Sequence, residues 1–202
     1  MRYGLVIDLK RCVGCNACTI ACKQKNSTPA GIYYGRVLIR ETGKYPLVHQ
    51  EFQPILCMHC SEAPCVEVCP TGATQKLDNG IVIVDQEKCI GCRYCMTACP
   101  YNARSFNYSR AQSFFPEKEA TLYEQTRQGE HIMGTVEKCD FCVDRVEAGE
   151  LPACVETCPA SARVFGDLDD PQSEVSQLIA QRGGRQLRPE IGTDPSVYYL
   201  DA

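Results

Sequence analysis

The 202 residues suffice for one or two small domains with modest cores. A formal charge of −4, with Lys and Arg scattered along the chain, gives no electrostatic case for binding nucleic acid. No apolar run approaches the roughly 18 residues of a membrane helix, so no membrane span is expected, and the start "MRYGLVIDLKRC" carries no recognisable secretory signal.

In chain order, the strand-sized run "LVI" leads into a first cysteine group, Cys12, Cys15, Cys18 and Cys22. The stretch "GIYYGRVLIRETGKYPLVHQEFQPIL" alternates as strands do, with a turn expected at Gly43. A second group follows (Cys57, Cys60, Cys65, Cys69), then a strand in "IVIV" and a third group (Cys89, Cys92, Cys95, Cys99). Residues 110–134 form a polar insertion with a helix expected near 117–128. After the fourth group (Cys139, Cys142, Cys154, Cys158), the tail from Gly166 holds one helix in "SEVSQLIAQR", stopped by Gly183 and Gly184. The end, "LRPEIGTDPSVYYLDA", is rich in turn formers; with so little core of its own, the tail is expected to lie against another surface.

The chain repeats itself. "LVIDLKRCVGCNACTIAC" aligns without gaps on "VIVDQEKCIGCRYCMTAC", including an Asp four residues before the first Cys (Asp8, Asp85) and a Gly before the second (Gly14, Gly91). "APCVEVCPTGA" resembles "PACVETCPASA", so the chain reads as a duplicated two-group ancestor.

Sixteen cysteines in four tight groups argue against a disulfide scaffold, which scatters its cysteines across loops. Soft thiolates select zinc or iron–sulfur clusters. Structural zinc draws two Cys-x2-Cys knuckles from separate parts of a chain, whereas Cys-x2-Cys-x2-Cys on one loop presents three sulfurs to one corner of a cubane. The fourth Cys, placed where the chain enters a helix, would then serve the other cluster of a pair, as in bacterial ferredoxins. Pro70, Pro100 and Pro159 follow the fourth Cys in three groups; Lys23 takes that place in the first. Sixteen thiolates supply four 4Fe–4S clusters with none left over.

Groups two and three are separated by residues 70–88, a length that suits one hairpin within a ferredoxin unit. Crossed ligation then assigns Cys57, Cys60, Cys65 and Cys99 to one cluster (cluster 3) and Cys69, Cys89, Cys92 and Cys95 to the next (cluster 4). Groups one and four pair by elimination: Cys12, Cys15, Cys18 and Cys158 (cluster 1), and Cys22, Cys139, Cys142 and Cys154 (cluster 2). The expected fold is α+β, with two ferredoxin-like units, one discontinuous (1–49 and 135–165) and enclosing the other (50–109). An insertion (110–134) and an extended partner-contacting tail (166–202) complete it.

Four Cys ligands per cluster leave no open iron position, so one-electron transfer is expected and no catalytic residue is assigned. With about −2 for each oxidised cluster and its thiolates, the loaded chain carries roughly −12. Lys10, Arg11, Lys88, Arg93 and Lys138 beside the motifs either offset that charge or are solvated surface residues. Gly14 and Gly91 either admit backbone amides to cluster sulfur or simply form turns. His59, in "CMHC", is expected to be an ordinary exposed His rather than a hydrogen-bond donor to a cluster. Tyr94, Tyr101, Phe106 and Phe141 are expected to pack around the clusters.

"CxHCxxAPCVxVCPTGA", "CIGCRYCxxACPY" and "KCDFCxxRxxxGxxPACVExCP" closely resemble the four-cluster iron–sulfur subunits of the dimethyl sulfoxide reductase superfamily. The tail "FGDLDDPQS…LRPEIGT…YYL" is most similar to the polysulfide, thiosulfate and arsenate respiratory reductase branch, with related molybdenum-dependent dehydroxylases also similar. The resemblance implies a catalytic partner with a molybdopterin (Mo or W) site and a membrane anchor or other quinone-linked redox partner. It implies membrane association through those partners, on the extracytoplasmic face by co-export, with the cytoplasmic face as the alternative. It also implies the order cluster 1, 2, 3, 4 away from the molybdenum subunit. Nitrate-reductase relatives have Trp at the position of Cys92 and a three-iron cluster there; this chain keeps the thiol. Two other readings stand beside this one: the iron–sulfur subunit of a formate dehydrogenase or hydrogenase complex, many of which carry a C-terminal membrane helix, and a zinc-stabilised interaction module.

Overall fold

A computed structural model describes residues 1–108, 113–115, 117–127 and 131–201. The core is organised around β1 (Tyr3–Asp8), the second strand of a four-stranded sheet. On one side β1 pairs antiparallel with β8 (Arg163–Asp167), Ile7 opposite Arg163. On the other it pairs parallel with β10 (Val197–Leu200), Leu5 opposite Val197, and β9 (Arg185–Gln186) closes the edge. Leu5, Val6 and Ile7 are all at most 1% exposed because both faces of β1 are covered. Leu5 and Ile7 point into the main core with Tyr199, Phe141 and Met58. Val6 points the other way, onto Val175, Leu178 and Ile179 of α7 (Glu174–Arg182). Strict side-chain alternation on a strand divides the three residues in this way.

The helix α7 begins where the sequence announces it. The Ser173 hydroxyl accepts from the Ser176 N–H, and Gly183 ends the helix at φ 66°. Instead of lying against another surface as expected, the tail joins the chain's own sheet through its last strand: β10 pairs with β1, and Tyr199 donates to the Pro54 carbonyl at 2.7 Å. Short strands bounded by turn formers hide this contribution from a sequence reading.

A long hairpin, β2 (Arg36–Lys44) with β3 (Leu47–Ile55), pairs from Arg36 opposite Ile55 to Lys44 opposite Leu47. The turn is therefore at Tyr45–Pro46, not at Gly43, which stays in the ladder opposite Val48. Pro46 cannot donate to a ladder and is accommodated at the bend. Two short pairs complete the strands: β4 (Thr74–Lys76) with β5 (Val82–Val84), and β6 (Ser105–Phe106) with β7 (Val136–Glu137).

Within the insertion, α4 spans Leu122–Arg127, shorter than expected; residue 128 lies outside the described residues. Thr121 N–H and Phe114 N–H both donate to Glu124 at 2.6 Å, fixing the start of the helix. Tyr123 donates to the Gln24 carbonyl and Arg127 to that of Lys25, which lays the insertion on the end of α1 (Ala17–Asn26).

The buried Glu137 carboxylate ties several segments together. Tyr34 donates to it at 3.1 Å, Gln86 at 3.4 Å, and His131 Nδ1 meets it at 2.8 Å while Nε2 meets the Asn26 carbonyl at 3.0 Å. Burial opposes protonation of His131, but the hydrogen bond and charge of Glu137 outweigh it and raise the imidazole above its ordinary range. A raised folded-state value means that this stabilisation is full below the unfolded value and fades as pH rises through the folded one. His131→Ala is expected to cost about 1–3 kcal/mol. Thermal unfolding of both chains should show their difference largest at acid pH and shrinking through neutrality.

Candidate functional site

The four cysteine groups share one backbone design. Strand β1 ends in Asp8, whose Oδ1 accepts from the N–H groups of Lys10 (3.0 Å) and Arg11 (3.3 Å). Asp85, after β5, does the same for Glu87 (3.0 Å) and Lys88 (3.3 Å). The carboxylate thus bends each strand into its cysteine loop. In every loop the residue before the second Cys has positive φ: Gly14 at 67°, His59 at 44°, Gly91 at 70° and Phe141 at 56°. Such turns direct consecutive amides inward, a concavity suited to anions.

His59 and Phe141 therefore occupy the glycine positions of their loops. His59 is buried at 1% exposure, not solvated as expected; its ring stacks on Phe141 at 3.7 Å, and Nδ1 accepts from the Val82 N–H at 3.0 Å. Burial, then the Lys138 and Arg104 charges, hold this imidazole well below its usual range, so it stays neutral. Aligning "CMHC" and "CDFC" on "CVGC" would have exposed this equivalence.

At Gly91 a Cβ would sit 2.1 Å from the Gly134 carbonyl oxygen, whereas at Gly72 (φ 64°) it would meet nothing within 4 Å. Gly91→Ala is expected to cost at least about 2 kcal/mol, the left-handed penalty plus a backbone clash; Gly72→Ala should lose only the penalty, about 1–2 kcal/mol. Denaturant unfolding of the two variants checks the difference.

Each group ends in cysteines four apart, and a helical turn carries that pair. The helices are α1, α2 (Pro64–Glu67), α3 (Tyr94–Ala98) and α6 (Ala153–Glu156), each beginning one residue before the third Cys. The chain thus enters the helix at the third cysteine, not the fourth. α5 (Val143–Glu147) follows Cys142.

The thiols gather across groups. Cys12, Cys15, Cys18 and Cys158 line one cavity, beside Val37 and Pro54 of the hairpin. Cys69, Cys89, Cys92 and Cys95 line a second, and Cys22, Cys139 and Cys154 meet Cys18 at a third. Cys142 lies beside Cys22 and Cys154. Cys57, Cys65 and Cys99 surround Cys60. Cys15 and Cys92 are exposed, whereas Cys57, Cys60, Cys95, Cys139 and Cys142 are buried.

Several donors point at sulfur. Thr74 N–H donates to Cys69 Sγ at 3.4 Å, Ala162 N–H to Cys158 Sγ at 3.3 Å, and the Asn26 side chain to Cys22 Sγ at 3.4 Å. Burial first, and then neighbouring thiols, push Cys22 and Cys60 up to about 12; burial pushes Cys142 up to about 11. Thiols so crowded ionise together only around a strongly positive core. Soft donors, gathered in fours and met by N–H groups, fit 4Fe–4S clusters.

Of the flanking cations, Lys10, Arg11, Lys88 and Arg93 are exposed, but Lys138 is 5% exposed and donates to the Val82 and Cys139 carbonyls. Tyr101 and Phe141 pack inward, Phe106 is half-buried against Tyr108 and Arg93, and Tyr94 is 64% exposed.

Comparison with known proteins decides the family. A 4Fe-4S dicluster domain model matches residues 48–118 and 113–168, and a second model of the same description matches residues 11–73. The iron-sulfur component ArrB of the arsenate respiratory reductase of Shewanella sp. (strain ANA-3) is 42% identical over 99% of this chain and 96% of its own. A selenate reductase subunit of Mesobacillus selenatarsenatis is 45% identical over 99% of this chain and 72% of its own. A sulfite dehydrogenase subunit of Allochromatium vinosum is 42% identical over 98% and 82%. The chain belongs to the iron–sulfur subunits of the molybdopterin oxidoreductases. As such it is a non-catalytic electron carrier with ferredoxin-type 4Fe–4S dicluster domains in a mixed helix and strand fold. Among the described residues no helix of this iron–sulfur subunit is long and apolar enough to cross a membrane.

Proposed function

We propose that this subunit holds four 4Fe–4S clusters in one line between a molybdopterin catalytic subunit and a membrane anchor or other quinone-linked partner. Cys12, Cys15, Cys18 and Cys158 would hold cluster 1; Cys22, Cys139, Cys142 and Cys154 cluster 2. Cys57, Cys60, Cys65 and Cys99 would hold cluster 3; Cys69, Cys89, Cys92 and Cys95 cluster 4. When bound, the clusters supply one-electron transfer.

The succession of contacts between the quartets carries this reading. Cys18 and Cys154 share Arg163. Cys139 neighbours Cys57, and Cys65 and Cys95 share Arg104. The exposed thiols belong to the two end quartets, Cys15 at one and Cys92 at the other. Four of the five buried thiols, Cys57, Cys60, Cys139 and Cys142, belong to the middle quartets, and the fifth, Cys95, shares the quartet of Cys92. Pairing of β1 with β8 joins the flanks of groups one and four around the unit of groups two and three, which supports an enclosing arrangement. The cavity of Cys12 borders the hairpin, whose arm exposes Ile39, Tyr45, Leu47 and Val48, an apolar surface suited to the catalytic partner. Reductase and dehydrogenase subunits both occur among the relatives, so the partner and not this chain sets the direction of flow. Placement on the extracytoplasmic face, by export with the catalytic subunit, completes the proposal.

Purification of the tagged chain from anaerobic membranes tests the assembly. A co-purifying larger subunit that contains molybdenum or tungsten with a pterin is expected. Recovery of the chain with a hydrogenase, or alone, would contradict it.

A further inference from the structure

Arg163 and Arg104 stand at the same offset in two motifs. Each is the fifth residue after the last Cys of its group, in "CPASARVF" and "CPYNARSF". The offset recurs on group four in one unit and on group three in the other, so the two cations enter from opposite halves of a ferredoxin pair. Both are buried, at 6% and 5% exposure.

The Arg163 guanidinium bridges two quartets: Nη1 donates to Cys154 Sγ at 3.5 Å and Nη2 to Cys18 Sγ at 3.4 Å. Arg104 lies near Cys65 and Cys95, one thiol from each of the other two quartets. Its Nη1 donates to Thr74 Oγ1 at 3.3 Å, and its Nη2 is buried with no partner among the described residues.

A buried guanidinium ordinarily needs a carboxylate. Among the described residues neither arginine forms an ion pair with one; what surrounds each is cysteine sulfur. Four thiolates and an oxidised cubane carry about −2, so two such groups supply the missing counter-charge. Lys138, the other buried cation of the region, is occupied with carbonyls instead.

We propose that Arg163 and Arg104 are built-in counter-cations, each shared by the two clusters of its own unit and raising both reduction potentials together. This rests on the ligand assignment above. Reduction adds one negative charge to a cluster, and a nearby buried cation with N–H···S bonds favours the reduced form. The planar fork reaches two sulfurs at once, which an ammonium does not.

The test is a potentiometric titration of the purified complex followed by electron paramagnetic resonance, with each cluster assigned through cysteine variants. In Arg163→Gln, the midpoints of clusters 1 and 2 should both fall while those of clusters 3 and 4 hold; Arg104→Gln should give the mirror result. Arg163→Lys keeps the charge but reaches one sulfur, so the midpoints of clusters 1 and 2 should move apart. Four unmoved midpoints in a fully loaded Arg163→Gln complex would overturn the proposal, as would an equal shift of all four. Should Arg163→Gln fail to retain its clusters, Arg163→Lys decides: separated midpoints support the shared cation and an unchanged pair overturns it. An error in the pairing of groups reads differently. Arg163→Gln would still lower the two clusters served by Cys18 and Cys154, while the Cys158 variant would damage the wrong quartet.

Discussion

Replacing Cys158 with Ser is expected to damage the cluster of Cys12, Cys15 and Cys18, although Cys158 lies at the far end of the cysteine-bearing region. The four thiols line one cavity, and the Ala162 N–H donates to Cys158 Sγ at 3.3 Å. Iron content should fall by about one to four atoms per chain, the range from a three-iron product to complete loss. The signals of the other three clusters should persist. Loss confined to the cluster of Cys139, Cys142 and Cys154 would show that ligation between groups one and four is not crossed.

The second large effect is at the opposite end. Cys92 is exposed and lines a cavity with Cys69, Cys89 and Cys95. Cys92→Ser or Cys92→Trp should convert that cubane to a three-iron form with a raised potential. Electron exchange with the anchor or quinone should drop to background, while artificial donors that reach the catalytic subunit directly still support turnover. Loss of donor-driven turnover with quinone-side exchange intact would reverse the order of the line.

Much of this architecture is written in local spacing. Thiols three and four residues apart must share a loop and a helical turn, so the groups, their repeat and the family resemblance are legible in "RCVGCNACTIAC" and its copies. Helix 174–182 is equally legible, with Ser173 at its start and Gly183 at its end. What depends on distant partners is not. The buried place of β10 is set by β1, nearly two hundred residues away, and "SVYYL" carries no sign of it. His59 looks like a surface histidine until Phe141 is stacked on it. Arg163 and Lys138 look like solvated charges until the fold closes over them. The turn at Tyr45–Pro46 in place of Gly43 is a register effect, fixed by nine cross-strand pairs rather than by one glycine.

Metal and acid-labile sulfide, measured per chain on anaerobically purified complex and corrected for the iron and sulfide of its other subunits, test the four-cluster line most directly. Four cubanes on sixteen cysteines require roughly sixteen iron and sixteen sulfide per chain, with zinc near zero. About four zinc and no sulfide, or about eight iron with half of the thiols free to alkylate, would contradict it.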